Sequence, residues 1–276
     1  MYMREVPSLF KRHAKTELKK GRQPEDVLKE LVLSGIPYDL SLALLGNKVK
    51  LNTNFVYNTA FYQALSKPHF LTTGSPHNVE KLEDKKAQVY CIDNYFPDED
   101  CERVINLSKQ RLFASDVIGV KEKQKLERQS KTCLLAQCDP LNTVVIDKKL
   151  TDTMAFGHLN AEQIQVQQYQ NGDFFNIHSD YFAPGSPSFN RANCPSLGQR
   201  SWTFMVYLND VESGGETEFP LLNLSVTPKR GRALIWNNLL PNGYPNKKTK
   251  HLAHPVISGE KSIITKWFRD KLKPNS

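Results

Sequence analysis

The feature that most narrows the fold of this chain is a change of texture near Glu162. From there to the C-terminus, short runs rich in β-branched and aromatic residues alternate with tight turn signals. Gln163–Tyr169, Ser201–Leu208, Leu224–Thr227, Arg232–Trp236 and Ile263–Phe268 read as strands. Asn171-Gly172, Gly214-Gly215, Lys229–Gly231, Asn242-Gly243 and Ser258-Gly259 read as the turns between them. Many short strands with this punctuation predict a sandwich or barrel. Ahead of it, Gln88–Ile92 reads as a strand. Asp98–Phe113 reads as a helix with Val104, Ile105, Leu107 and Leu112 at its apolar positions, suited to support one side of the sheet.

Residues 1–85 read differently, as a helical N-terminal extension and linker, with residues 86–276 forming the main domain. Pro24 suits a first helical position, Glu25 and Asp26 favour the positive end of the helix dipole, and Val27, Leu28, Leu31 and Val32 recur at helical spacing before Ser34-Gly35. A second short helix is expected over Leu40–Leu45 with Asp39 as its N-cap. Both are amphipathic, so this part reads as a small cap or a partner-binding extension. Ser66–Asp84, with Pro68, Gly74, Ser75 and Pro76, reads as a linker.

At 276 residues the chain is long enough to bury a real core. No signal peptide and no apolar run of membrane-spanning length stands out, so a soluble cytoplasmic protein with no membrane partner is expected. Five cysteines at irregular spacing suggest reduced, mostly buried thiols rather than a disulfide framework or a zinc site. The formal charge of +8 is spread over scattered basic residues, such as Lys121, Lys123 and Lys125 beside Glu122 and Glu127, and reads as a solvated surface.

The chemistry sits within the strands. His178 and Asp180 are two residues apart, and in an extended chain such residues face the same side, where an imidazole and a carboxylate can reach one metal. Two histidines plus one carboxylate leave open positions on iron(II). Both His251 and His254 are available as the third ligand. Downstream, Lys261 opens the last strand after the Ser258-Gly259 turn. A cation inside a β-barrel needs an anion, and a co-substrate carboxylate would supply it.

Taken in order, these segments resemble the prolyl 4-hydroxylase-type family of iron(II)/2-oxoglutarate dioxygenases. The resemblance runs from about Cys91 to Arg269. It is carried by the run Glu162 to Gly172 and by His178-Ser-Asp180-Tyr-Phe. Gln199-Arg200, Tyr207-Leu-Asn-Asp210-Val, Gly214-Gly-Glu-Thr-Glu-Phe-Pro220 and Pro228-Lys-Arg-Gly231 follow, then His251 to Lys261 and Thr265-Lys-Trp267-Phe-Arg269. Asp98–Cys101, Ser115 and Arg128–Ser130 are similar to the family's supporting helix and following strands.

The resemblance implies an α+β fold: a double-stranded β-helix, or jelly roll, with supporting helices and the N-terminal helical extension. It implies Fe(2+), 2-oxoglutarate and O2, with ascorbate as reductant. The family carries a lysine ten residues after its second metal histidine, which selects His251 over His254 here. His178, Asp180 and His251 are thus expected to bind iron, and Lys261 to pair with the distal carboxylate of 2-oxoglutarate, assisted by Tyr169. Glu162, Phe175, Arg200 and Trp267 are expected near the substrate, with a core role for Trp267 and a plain salt bridge for Arg200 left open. Two departures stand out: Phe175 occupies a position where prolyl-hydroxylating relatives often have tyrosine, and Ser262 replaces a common aromatic.

The implied activity is that of a dioxygenase resembling procollagen-proline 4-dioxygenase, hydroxylating a prolyl residue in a peptide or protein substrate and releasing succinate and CO2. The alternatives are an oxygenase acting on alkylated nucleic acid and a catalytically silent binding module. Lys261 argues against the first, because nucleic-acid dealkylases typically anchor 2-oxoglutarate with arginine, and no aromatic-and-basic cluster for stacking bases is evident. The intact ligand set argues against the second. The loop Ala183–Gln199, which directly follows the metal motif, reads either as a lid or as an ordered surface excursion.

Overall fold

The computed structural model describes residues 6–34, 36, 41, 44–46, 59–72, 75–83, 85–115, 128–182, 188, 191–241, 243 and 245–272. In chain order, helices α1 (Ser8–Lys19), α2 (Pro24–Leu33) and α3 (Thr59–Leu65) precede strands β1 (Val79–Glu83) and β2 (Val89–Ile92). Helix α4 (Asp98–Ser108), β3 (Phe113–Ala114), β4 (Lys131–Leu134) and helix α5 (Pro140–Met154) lead into β5 (Leu159–Ala161), β6 (Gln165–Tyr169) and β7 (Phe175–His178). The rest is β8 (Arg200–Tyr207), β9 (Ser213–Gly214), β10 (Thr217–Phe219), β11 (Leu224–Val226), β12 (Ala233–Asn237), β13 (His251–Ala253), β14 (Val256–Ser258) and β15 (Lys261–Leu272).

The strands form a major sheet in the order β1-β2-β12-β8-β15-β6-β4-β3, with β5 also on β15, and a minor sheet in the order β11-β10-β13-β7. All pairings within these sheets are antiparallel. Alternation along β8 explains how the layers assemble. Trp202, Phe204 and Val206 face the helical layer, where they join Val104 of α4 and Ile146, Leu150 and Met154 of α5. Met205 and Tyr207 turn the other way and meet Phe219 and Val226 of the minor sheet. β15 divides in the same manner, with Ile264 and Phe268 toward the helices and Ile263 toward the minor sheet. All eight residues of β8 are buried, and five of them, Trp202 and Phe204–Tyr207, are apolar or aromatic. This is the jelly-roll architecture: two facing sheets with a mouth between them, and helices bracing the outer side of the larger sheet.

The strands expected from sequence are present, with shifts of a few residues at their ends. The helix expected over Asp98–Phe113 stops at Ser108, and Phe113 belongs to β3. Helix α5 was not evident in the pattern. Its N-cap, Asp139, accepts from Asn142 N at 3.0 Å, and Pro140 fills the first turn. Leu141, Val144 and Val145 lie 82, 67 and 66 % exposed while Leu150 and Met154 are buried, so apolar residues occur all round the helix and blur its period.

The reading of Ser66–Asp84 as a linker is corrected. Phe70 is buried edge-on against Tyr90 and Trp202, with ring centroids 5.5 and 6.2 Å away, and β1 extends the sheet through β2. An aromatic of this size contributes about 1.5–3 kcal/mol when buried, enough to hold a Pro-rich segment down. Thr59–Glu83 therefore joins the main body, whereas α1 and α2 close on their own core of Ala14, Val27, Leu28, Leu31 and Leu45. Asp39, Leu40, Gly35, Lys121, Lys123, Lys125 and Asn242 lie outside the described residues, as does Ala183–Pro187 of the expected loop. Among the described residues no helix is long and apolar enough to cross a membrane.

Gly214 adopts φ +78°, and a Cβ there would meet Pro255 O at 2.3 Å. A Gly214→Ala variant is expected to lose on the order of 2 kcal/mol of stability, read as a lower urea midpoint with unchanged slope.

Candidate metal centre and co-substrate pocket

The minor sheet brings the two histidines together. β13 runs antiparallel to β7 with His251 directly opposite His178, and the chain continues two residues beyond His178 to Asp180. The ligand atoms of His178, Asp180 and His251 all lie within 4.8 Å of one another. Asp180 Oδ1 stands 3.8 Å from His178 Nε2 and 3.9 Å from His251 Nε2. The rings are oriented from behind: His178 Nδ1 donates to Asn176 O at 2.8 Å, and His251 Nδ1 donates to Thr249 O at 3.0 Å. A carbonyl can only accept, so each Nδ1 carries a proton and each Nε2 is turned toward the shared space. Burial and the neighbouring His251 imidazole push His178 down to about 3, against the pull of Asp180, so the ring is neutral and free to ligate at physiological pH. Burial opposes ionisation of Asp180, but the two imidazoles, Arg200 and the Thr203 hydroxyl outweigh it and hold the carboxyl below its ordinary range. Two imidazoles and one carboxylate converging from one side fit a divalent iron and leave its other positions open.

A buried relay fixes the carboxylate. Thr203 Oγ1 of β8 donates to Asp180 Oδ2 at 2.5 Å, Asn238 Nδ2 donates to Thr203 Oγ1 at 2.9 Å, and Trp236 Nε1 donates to Asn238 Oδ1 at 3.1 Å. The hydroxyl occupies Oδ2 and leaves Oδ1 for the metal. The Trp236 ring also packs on His251 at 4.8 Å, so one indole braces two of the three ligands. On the opposite side Phe175 stacks on His178 at 3.7 Å between centroids, and the Arg128 guanidinium lies 4.8 Å from the Phe175 ring. His254 points elsewhere, paired with Glu218 at 2.5 Å, outside the three-residue cluster.

A cavity of about 340 Å³ connects this centre to Lys261 and is also lined by Tyr169, Arg128, Gln167, Thr265, Arg200 and Trp267. Lys261 is 1 % exposed. Its Nζ donates to Gly215 O at 2.7 Å and lies 5.2 and 5.6 Å from the Tyr169 and Tyr207 rings. Among the described residues no carboxylate stands within 4.0 Å of it, so a carboxylate entering the cavity would meet an unneutralised buried cation. Burial brings Lys261 down to about 7, with Glu216 pulling the other way. Tyr169 pairs with Lys261 across β6 and β15, and its hydroxyl donates to Gln167 Oε1 at 3.1 Å.

The far wall is a stack. Arg200 pairs with Glu162 through two bonds of 2.6 Å, and Arg269 reaches the same carboxylate at 2.6 Å. Burial disfavours the Glu162 charge, but the two guanidinium groups hold it below its ordinary range. One face of Arg200 lies 3.7 Å from the Trp267 ring and the other 4.7 Å from Phe182. Arg200 is thus both salt-bridged and part of the cavity wall, and Trp267 lines the cavity while remaining buried. Glu162 acts from behind the wall. Sequence reasoning missed roles for Thr203, Asn238, Trp236, Phe182 and Arg128. The only hint was the alternation on β8, which turns Thr203 toward the same side as Met205.

Comparison with known proteins follows the same outline. The sequence pattern of the 2OG-Fe(II) oxygenase superfamily matches residues 164–269. The chain is 32% identical over 207 residues to Prolyl 4-hydroxylase 5 of Arabidopsis thaliana, covering 67% of this chain and 68% of that protein. It is 31% identical over 216 residues to Prolyl 4-hydroxylase subunit alpha-1 of Gallus gallus, covering 76% of this chain but only 40% of that subunit. Among solved structures, the viral collagen prolyl hydroxylase of Paramecium Bursaria Chlorella virus-1 in its 2OG complex aligns at 25% identity with a TM-score of 0.47, over 65% of this chain and 94% of that one.

Three outcomes are expected. Thr203→Val frees Asp180 Oδ2 and should weaken divalent-metal affinity about 10- to 100-fold in a Co(II) titration, while the fold is retained. For Lys261, the unfolded chain keeps its proton up to 10.5 and the folded protein only to about 7. The unfolded state therefore binds more protons in that window, and stability without co-substrate should rise with pH from about 7 toward 10.5. 2-Oxoglutarate favours the charged ammonium, so its affinity should fall as pH rises above about 7, with proton uptake visible by calorimetry in two buffers of different ionisation heat. Lys261→Met should abolish both trends.

Proposed function

Because the chain belongs to the prolyl 4-hydroxylase type of 2OG-Fe(II) oxygenases, we propose that it hydroxylates prolyl residues in a peptide or protein substrate. The observation that carries this reading is one cavity holding His178, Asp180 and His251 at one end and the buried cation Lys261 at the other. Bound iron(II) and 2-oxoglutarate would supply the oxidation of a C–H bond by dioxygen, with release of succinate and carbon dioxide.

The protein's own part is to bind, orient and exclude water. His178, Asp180 and His251 would hold the iron. Thr203 keeps one carboxylate oxygen turned away, and the backbone carbonyls of Asn176 and Thr249 keep both Nε2 atoms turned in. Lys261 would take the distal carboxylate of 2-oxoglutarate, with Tyr169 beside it. Substrate would approach along Arg200, Trp267 and Phe182. Trp267 Nε1 is buried without a hydrogen-bond partner among the described residues, and a peptide carbonyl would satisfy it. Phe175, stacked on His178, offers an apolar contact where a tyrosine would offer a hydroxyl. Ascorbate as reductant is part of the same proposal and follows the family resemblance. Five free cysteines support a reducing compartment such as the cytoplasm.

The test is turnover of a proline-rich peptide with Fe(II), 2-oxoglutarate, ascorbate and oxygen. Wild type should release one succinate for each oxygen gained on proline, read by mass spectrometry. His178→Ala and Lys261→Ala should release none above background. Turnover that consumes 2-oxoglutarate but leaves every proline unmodified would remove the prolyl assignment.

A further inference from the structure

A buried chain of hydrogen bonds joins the N-terminal helix α3 to the mouth of the cavity. Tyr62 of α3 donates its hydroxyl to Asp270 Oδ2 at 2.8 Å, and Asp270 Oδ1 accepts from Gln199 N at 2.7 Å. The Gln199 side chain then clamps the Phe182 backbone from both sides. Phe182 N donates to Gln199 Oε1 at 2.8 Å, and Gln199 Nε2 donates to Phe182 O at 2.8 Å. Gln199 Oε1 also accepts from Arg200 N at 3.0 Å. Tyr62, Gln199 and Asp270 are all buried, so these bonds are sheltered from competing water and act as one unit.

Phe182 is the residue this unit holds. It follows the ligand Asp180 by two positions, lines the cavity, and lies 4.7 Å from Arg200 and 5.6 Å from Arg269. With Arg200 against Trp267 on the other face, the ring, guanidinium and indole form a single stacked wall. That wall is on the Arg200 and Trp267 side of the cavity, whereas Lys261 and Tyr169, paired six residues up the same strand from Trp267, line the co-substrate end.

We propose that Phe182 is a substrate-positioning wall whose placement is set from α3 by Tyr62, acting through Asp270 and Gln199. Helix α3 thereby supports the substrate site from behind. The identity of the substrate rests on the prolyl reading above; the positioning of Phe182 does not. Tyr62 is a positioning residue, since it touches neither metal nor cavity. Removing its hydroxyl leaves a buried carboxylate oxygen short of a donor and loosens the Asp270 side chain that holds Gln199 N. Helix α3 stays docked without that bond, because Trp202 Nε1 donates to Leu65 O at 2.8 Å.

The test uses the full chain with Tyr62→Phe and, separately, Gln199→Leu, which removes both bonds to Phe182. KM for a proline-rich peptide should rise about 3- to 10-fold in Tyr62→Phe, the scale of one hydrogen bond, and further in Gln199→Leu. The kcat, the KM for 2-oxoglutarate and Co(II) affinity should stay within about twofold of wild type, which a general loss of packing would not allow. Amide exchange at Phe182 and Arg200 should quicken in both variants. Unchanged peptide KM with unchanged exchange overturns the proposal, as does a parallel loss of kcat and metal affinity. If wild type turns over no prolyl peptide, the prolyl reading fails, and the Phe182 amide alone decides: faster exchange supports the positioning chain and unaltered exchange rejects it.

Discussion

Everything in the site depends on the register of β13 against β7. That register puts His251 opposite His178, and β10 pins it from the other side through Thr217 to Ala253 and Glu218 to Leu252. A slip of one residue would put Leu252 or Lys250 opposite His178 in place of His251. The minor sheet alone would be a weak clamp, since its strands are only three or four residues long. It is held by what lies behind it. Asp180 is tied to Thr203 on β8, and β8 is the fully buried centre of the major sheet between β12 and β15. Through Asp180 the ligand set is therefore tied to the buried centre of the major sheet.

The second constraint is charge in a dry place. Arg200 and Arg269 are buried against the half-buried Glu162: its carboxylate takes three guanidinium contacts, two from Arg200 and one from Arg269, and the Phe182 and Trp267 rings pack against Arg200. Lys261 is treated differently. It is buried, bonded to a backbone carbonyl, flanked by two tyrosine rings and brought down to about 7. Leaving a cation in that condition destabilises the fold on its own, and such groups cluster where a ligand completes them. One end of the cavity thus requires an anion, while the other presents a preoriented set of two imidazoles and one carboxylate. A small dicarboxylate that also binds metal satisfies both ends.

Much of this was legible in the chain for physical reasons. Strand alternation is local, so β6, β8, β12 and β15 could be read, and the two-residue spacing of His178 and Asp180 already placed them on one face. The choice of His251 over His254 rested on family spacing; geometry adds that His254 is engaged with Glu218. The relay was not legible, because Thr203 is 23 residues from Asp180 and 35 from Asn238, and polar residues on a strand usually face solvent. The Tyr62 connection spans 208 residues and begins in a stretch next to one whose Pro and Gly suggested a linker. Helix α5 escaped notice because exposed apolar residues on its first turns mask the buried face.

The central claim is that one cavity binds a divalent iron and 2-oxoglutarate together, and the most direct measurement is an anaerobic titration of the purified chain with Fe(II) and 2-oxoglutarate, followed by the visible charge-transfer absorbance of the chelated metal. The account requires a band that saturates at one iron and one 2-oxoglutarate per chain, is lost in Asp180→Ala, and in Lys261→Met needs far more co-substrate to reach the same height. No band at any ratio, or a band of wild-type affinity that survives loss of Asp180, would contradict it.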